Sequence, residues 1–197
     1  MRILSLTSAH DSSLCVLNDG QVEYFSKEER LTRKKRDKTA KVSLQNVKGP
    51  IDYAILCSPT YSQYDKELEN YLKNTFKCKV INFHKYHHLS HASLAHHNSG
   101  FQKSLTVVID RNGGCHNEMR ESETIFEVTE NNFREIYKSF WLFNIGEEYD
   151  RYILEQIDSL KQQNPDCEYV ADSTMNITKV YETATTLIGE HPLENGK

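Results

Sequence analysis

Apolar and polar residues alternate over positions 2–7, which predicts an opening strand with one buried face. The same pattern returns at 13–17 and again at 21–25. Between these last two runs lies Asn18-Asp19-Gly20, a strong tight-turn signal. The first 26 residues therefore read as a β-meander. After Gly49-Pro50, positions 53–57 form a short apolar run of the kind a buried strand needs. Ser62 reads as a helix N-cap with Asp65 three residues on, and Tyr64, Leu68, Tyr71, Leu72 and Phe76 follow at helical spacing. Positions 79–83 predict another strand, 87–97 a short helix, and 105–110 a hydrophobic strand that runs into Asp110-Arg111-Asn112-Gly113-Gly114. Strand and helix alternating in this way imply an α/β fold with a largely parallel sheet and right-handed crossovers.

Beyond Gly114 the pattern changes. Positions 123–130 and 132–143 read as a polar two-stranded ribbon turning at Asn131-Asn132. Tyr149, Tyr152, Ile153, Ile157 and Leu160 then place an amphipathic helix over 147–161. A last helix, capped by Ser173 and closed by Gly189, carries Ile177, Val180, Tyr181, Ala184, Leu187 and Ile188.

Composition narrows the class. The chain has 197 residues, 38% hydrophobic and 26% charged, enough for a core that hides about 70% of the unfolded surface. No apolar run approaches membrane-spanning length, and His10 and Asp11 interrupt the N-terminal run before it could serve as a signal peptide. A net charge of -4 argues against nucleic acid as partner. The five cysteines are scattered with no C-x-x-C pair, so the expectation is reduced thiols in the cytoplasm rather than a zinc ribbon or disulfide framework.

Three segments carry chemistry. Six of the nine histidines lie between His84 and His97. Within His87-His88-Leu89-Ser90-His91, the four-residue spacing puts His87 and His91 on one helix face, where two imidazoles can share a metal ion while His88 points elsewhere. Asp110, closing the next strand, would complete a His-His-carboxylate set. A solvated helix with no metal is the plain alternative. In the segment linking the first two strands, Ser8, Ser12 and Ser13 could join backbone N–H groups in holding phosphate, with His10 as general base. A turn in which Asp11 bonds its own backbone is the simpler reading of those residues alone. Positions 27–41 hold eight basic and three acidic residues. They read as a solvated loop or as an anion-facing cluster, and charge by itself does not choose.

Taken together, Ala9-His10-Asp11-Ser12-Ser13, the Asp19-Gly20 turn, the run from Glu28-Glu29-Arg30-Leu31-Thr32-Arg33 to Asp37 and His87-His88-Leu89-Ser90-His91-Ala92 resemble the N-terminal part of the O-carbamoyltransferases. That family includes nodulation-factor and antibiotic-tailoring enzymes. The resemblance covers about residues 2–114, with Asp110 to Gly114 in the place of an Asp-Gly-x-Gly loop; the form with a segment before the last helix looks most like the bacteriophage-borne members.

The resemblance implies an actin/hexokinase-like (ribonuclease H-like) ATPase lobe, a β-meander followed by alternating helices and strands, incomplete at its C-terminus. It implies a lobe over 1–114, an inserted ribbon and helix over 115–172, and the first helix of a continuing domain over 173–197. The activity implied is ATP-dependent transfer of a carbamoyl group from carbamoyl phosphate, through carbamoyl adenylate, to a hydroxyl-bearing small-molecule acceptor. His87, His91 and Asp110 match the metal ligands and His10 the catalytic histidine; Asp11, Ser12, Gly113 and Gly114 would face the nucleotide. The metal implied is divalent, iron first, with zinc, manganese or magnesium as alternatives. Arg111 and Asn112 depart from the family's glycine after the aspartate. The fourth ligand and the carbamoyl-phosphate domain would lie beyond Lys197 or on a second chain, leaving this chain inactive alone. A threonylcarbamoyl-tRNA modification protein and a non-catalytic scaffold made from half an ATPase fold are the competing readings.

Overall fold

The computed structural model describes residues 1–9, 11–58, 62–110, 113–117, 119–130, 132–142, 147–172 and 177–189. It is α/β, and it divides into two compact units at His87/His88. No described helix is long and apolar enough to cross a membrane.

The first unit is built on the meander. Strands β1 (Arg2–Thr7), β2 (Ser13–Asn18) and β3 (Gln21–Lys27) pair antiparallel. The turn between β2 and β3 has positive φ at both Asp19 (47°) and Gly20 (80°), the two-residue hairpin geometry whose twist matches that of the strands. Two short helices follow, α1 (Glu28–Thr32) and α2 (Lys41–Gln45). Strand β4 (Tyr53–Leu56) then lies parallel to β1, helix α3 (Gln63–Phe76) crosses over, and β5 (Lys79–Asn82) lies parallel to β4. The sheet order is β3-β2-β1-β4-β5. Ser62 caps α3 as its sequence indicates: its hydroxyl accepts from the Asp65 N–H at 3.3 Å and the Asp65 carboxylate accepts from the Ser62 N–H at 2.8 Å. Leu4, Leu6, Leu14, Val16, Ala54 and Leu56 from the strands meet Leu44, Leu68 and Leu72 from the helices in a buried core.

The second unit holds another sheet. Helix α4 (His87–Ser99) leads to β6 (Lys103–Ile109), the two-residue β7 (Cys115–His116), and the long hairpin of β8 (Met119–Thr129) and β9 (Asn132–Leu142). After α5 (Glu147–Gln163), β10 (Glu168–Asp172) pairs parallel with β9; α6 (Ile177–Leu187) comes last. The order is β10-β9-β8-β6, with β7 on β8. One apolar cluster joins Met119 and Phe140 to Ile153 and Ile157 of α5, and another joins Val108, Phe126 and Val128 to Ala92 of α4.

Two expectations change here. The strand at 105–110 does not continue the parallel sheet; β6 starts the second sheet by pairing antiparallel with β8 along its whole length. The ribbon is not a polar appendage either, because Phe126, Val128 and Phe140 are buried and the hairpin is the middle of that sheet. The compact division falls at His87/His88, and the β6–β8 ladder runs across Gly114. Ser173 lies outside the described residues. Gly189 does close α6, with φ of 83° and its N–H bonded to Thr186 O at 3.0 Å.

Candidate metal centre

Helix α4 presents its histidines on two faces. His88, Ala92 and His96, four residues apart, are buried against the second sheet. Nδ1 of His88 lies 2.7 Å from Thr124 Oγ1 on β8, and Nδ1 of His96 lies 2.8 Å from Ser104 Oγ on β6. The His96 ring also packs edge-on against Phe133. His88 and His96 are thus packing residues that hold the helix to its sheet. His87 and His91 sit one residue back along the helix, about 100° round its axis, and are half-buried and exposed respectively.

Asp110 follows the last residue of β6, where its N–H donates to Ser122 O at 2.8 Å. One ligand atom each of His87, His91 and Asp110 falls within 4.8 Å of the other two. Ligands of one ion with bonds of about 2.1 Å sit ~3 Å apart, so small side-chain rotations close this set. Two imidazoles and one carboxylate suit a borderline divalent ion such as iron(II), zinc or manganese better than calcium.

The glycines beside Asp110 are placed by packing. A Cβ on Gly113 would meet His88 Nε2 at 2.3 Å and Glu121 Cβ at 2.8 Å, so no larger residue fits without movement. The Gly113 N–H donates to the Glu121 carbonyl at 2.9 Å and the Gly114 N–H to Glu121 Oε2 at 2.8 Å. Both backbone donors expected to face nucleotide phosphates are therefore committed to Glu121. Arg111, Asn112 and the catalytic candidate His10 lie outside the described residues.

In the first unit, the hydroxyls expected to meet phosphate have protein partners. The Ser12 hydroxyl is buried and donates to Thr7 O at 2.8 Å, while Asp11 is exposed. Ser8 bonds Ser58 at 2.7 Å and donates to Asp65, which also accepts from Ser58 at 2.8 Å. Burial pushes the Asp65 carboxyl upward, but hydrogen bonds from Ser62, Ser8 and Ser58 outweigh it and hold the group below its ordinary value. Its stabilising contribution is therefore present above the unfolded value of about 4 and lost as pH falls through the lower folded value. Replacing it with Asn should cost about 2 kcal/mol at pH 7 and flatten the acid limb of stability, as urea titrations from pH 2 to 7 would read. An unchanged acid limb would contradict the assignment.

Two buried acids escaped the sequence reading. Glu28, fully buried within the charged run, accepts from the Val42 N–H at 2.8 Å and the Ser43 N–H at 2.9 Å at the start of α2. Glu121, also buried, meets Lys138 Nζ at 2.9 Å and His116 Nε2 at 3.3 Å, and Lys138 reaches Glu135 at 2.6 Å. Burial alone would raise the Glu121 pKa, yet the His116 hydrogen bond and the Lys138 charge drive it well down. Burial would lower that of Lys138, and the Glu121 and Glu135 charges raise it instead.

Comparison with models of known protein families and with curated proteins finds no match to this chain.

Proposed function

We propose that this chain is a metal-binding lobe of an ATP-dependent O-carbamoyltransferase. The observation that carries the reading is the convergence of His87, His91 and Asp110 within 4.8 Å, since these are the three residues that the family resemblance implies as ligands. The first sheet supports it too: a meander whose first strand takes parallel β4 on its other side, followed by a crossover helix and parallel β5, suits the actin-like ATPase lobe.

In this reading His87 and His91 hold the ion from one helix face, and Asp110 holds it from the end of β6. A divalent ion there supplies positive charge for phosphate or carbamoyl oxygens. Glu121 holds the N–H groups of Gly113 and Gly114, and the Ser122 carbonyl holds that of Asp110. His10 accepts the proton of the acceptor hydroxyl as it attacks carbamoyl adenylate, whose AMP then leaves.

Elemental analysis tests the metal site. The wild-type chain, loaded separately with iron(II), zinc or manganese and desalted, is expected to retain about one equivalent of at least one of them. The double variant His87→Ala, His91→Ala should retain at least tenfold less. Equal metal content in the two proteins would sink the site. The transferase reading also requires metal loading to tighten ATP binding at least tenfold in the wild type and not in the double variant. Absence of that effect would remove the nucleotide role from this centre.

A further inference from the structure

The charged run folds so that its acids face inward. Glu28 is spent on the Val42 and Ser43 N–H groups, Glu29 accepts from the Arg36 N–H at 3.3 Å, and Asp37 accepts from the N–H and hydroxyl of Thr39 at 2.9 and 2.8 Å. Arg33 and Arg36 hold left-handed backbone angles, with φ of 58° and 57°. Such strain persists in non-glycine residues only where the surroundings fix it. The cations are left outside: Arg33, Lys34, Lys35, Arg36, Lys38 and Lys41 are all exposed, and none forms an ion pair among the described residues. Like charges this close in sequence repel one another, a cost that the Asp37 carboxylate beside Lys34 offsets only in part and that a multivalent anion relieves.

A cavity of about 340 Å³ opens beside this run, between α2 and α3. Its apolar side is Leu44 and Leu68, with Tyr64 and Tyr71 as aromatic walls. Lys41 belongs to both features, for it closes the basic run and lines the cavity. Tyr64 joins them as well, since its hydroxyl accepts from the Ala40 N–H at 3.4 Å. Glu67 and Gln45 supply hydrogen-bonding groups along the rest of the wall. The volume lies at the small end of the range for ligand pockets.

We propose that the α2–α3 cavity and the basic run beside it form one binding site for a nucleotide, with its planar ring between the tyrosines and its phosphates on Lys41 and its neighbours. Glu67 accepts hydrogen bonds from ring amino or ribose hydroxyl groups. A long nucleic acid fits less well. The protein is net negative, and no aromatic residue lies between Phe25 and Tyr53 to stack successive bases. The site is independent of the metal centre and of the carbamoyltransferase reading.

The test uses the full chain carrying His87→Ala and His91→Ala, with EDTA present, so that nothing observed can come from the metal centre. Calorimetric titrations with ATP, adenosine and inorganic triphosphate separate ring from phosphates. ATP is expected to bind at least tenfold more tightly than either part. Lys41→Glu should weaken ATP and triphosphate at least tenfold and leave adenosine unchanged. Tyr71→Ala should weaken ATP and adenosine at least fivefold and leave triphosphate unchanged. Both residues are exposed, so circular dichroism should be unchanged in both variants. Triphosphate binding as tightly as ATP would reduce the site to a charged loop and overturn the proposal. So would ATP binding that neither substitution alters.

Discussion

Replacing Lys138 with methionine is expected to cost about 3–5 kcal/mol, the usual penalty for leaving a buried charge without its partner. Glu121 is almost wholly buried and Lys138 nearly so, which leaves water little access to the orphaned carboxylate. His116 at 3.3 Å and the Gly114 N–H at 2.8 Å remain as partners, but the ammonium that lay 2.9 Å from the carboxylate is gone. The double variant Glu121→Gln, Lys138→Met should recover most of the loss. Gln keeps an acceptor for Gly114, and the charge that needed a partner is gone. Urea unfolding at pH 7 reads both effects from the midpoint at constant slope. A single variant within 0.5 kcal/mol of wild type, roughly the size of a surface change, would show that the pair is not a buried one.

The pH dependence follows from the two shifts. Glu121 is held below its unfolded value, so its contribution is present above about pH 4 and lost as pH falls through the folded value. Lys138 is raised, so its contribution is present below about pH 10 and lost as pH rises through its higher folded value. The stability difference between wild type and double variant should therefore be constant between these limits and shift against the wild type outside them, where one buried charge loses its partner.

The second large effect is expected at Gly113. A methyl group there would sit 2.3 Å from His88 Nε2 and 2.7 Å from His88 Cδ2. His88 is fully buried and held at its other nitrogen by Thr124, so it has no room to swing aside. Gly113→Ala should cost about 1–3 kcal/mol as an overpacking change. It should also lower metal retention at the centre, because Gly113 and Asp110 are bonded to neighbouring residues of β8, Glu121 and Ser122. Thermal unfolding and elemental analysis on one sample separate the outcomes. Full stability with full metal content would mean that the turn is not set by this contact.

Much of the fold was legible. The meander follows from period-two alternation and the Asp19-Gly20 turn, and α3 from its cap and five apolar positions. The His87–His91 pair was legible because helical spacing alone brings the two together, and Asp110 joined them through strand order. Glu28 was hidden. A charged residue inside a charged run reads as solvated, and only the fold reveals that its carboxylate caps α2. Glu121 and Lys138 were hidden for a different reason. Glu121 falls before the strand predicted at 123–130 and Lys138 on a ribbon that reads as polar, and nothing in one strand announces an opposite charge facing it from the next. The carbonyl and carboxylate that occupy the Gly113 and Gly114 N–H groups were equally out of reach, because they arrive from β8.

The start of β8 breaks the alternation that predicts a strand only from 123. Met119 and Glu121 face inward on odd positions, whereas Ser122, Thr124, Phe126 and Val128 are buried on even ones. The ladder accommodates the switch with a register shift at Glu121/Glu123, where Ser122 is the extra residue. Such a strand is intolerant of changes in length. Deleting Ser122 would tidy the hydrogen bonding, yet it would turn Met119 out of the α5 cluster and Glu121 away from Lys138 and Gly114. Among chains that keep this centre, substitutions along β8 would be common and insertions or deletions between Met119 and Glu123 absent. The length of that five-residue stretch would be a steadier mark of descent than the residues within it.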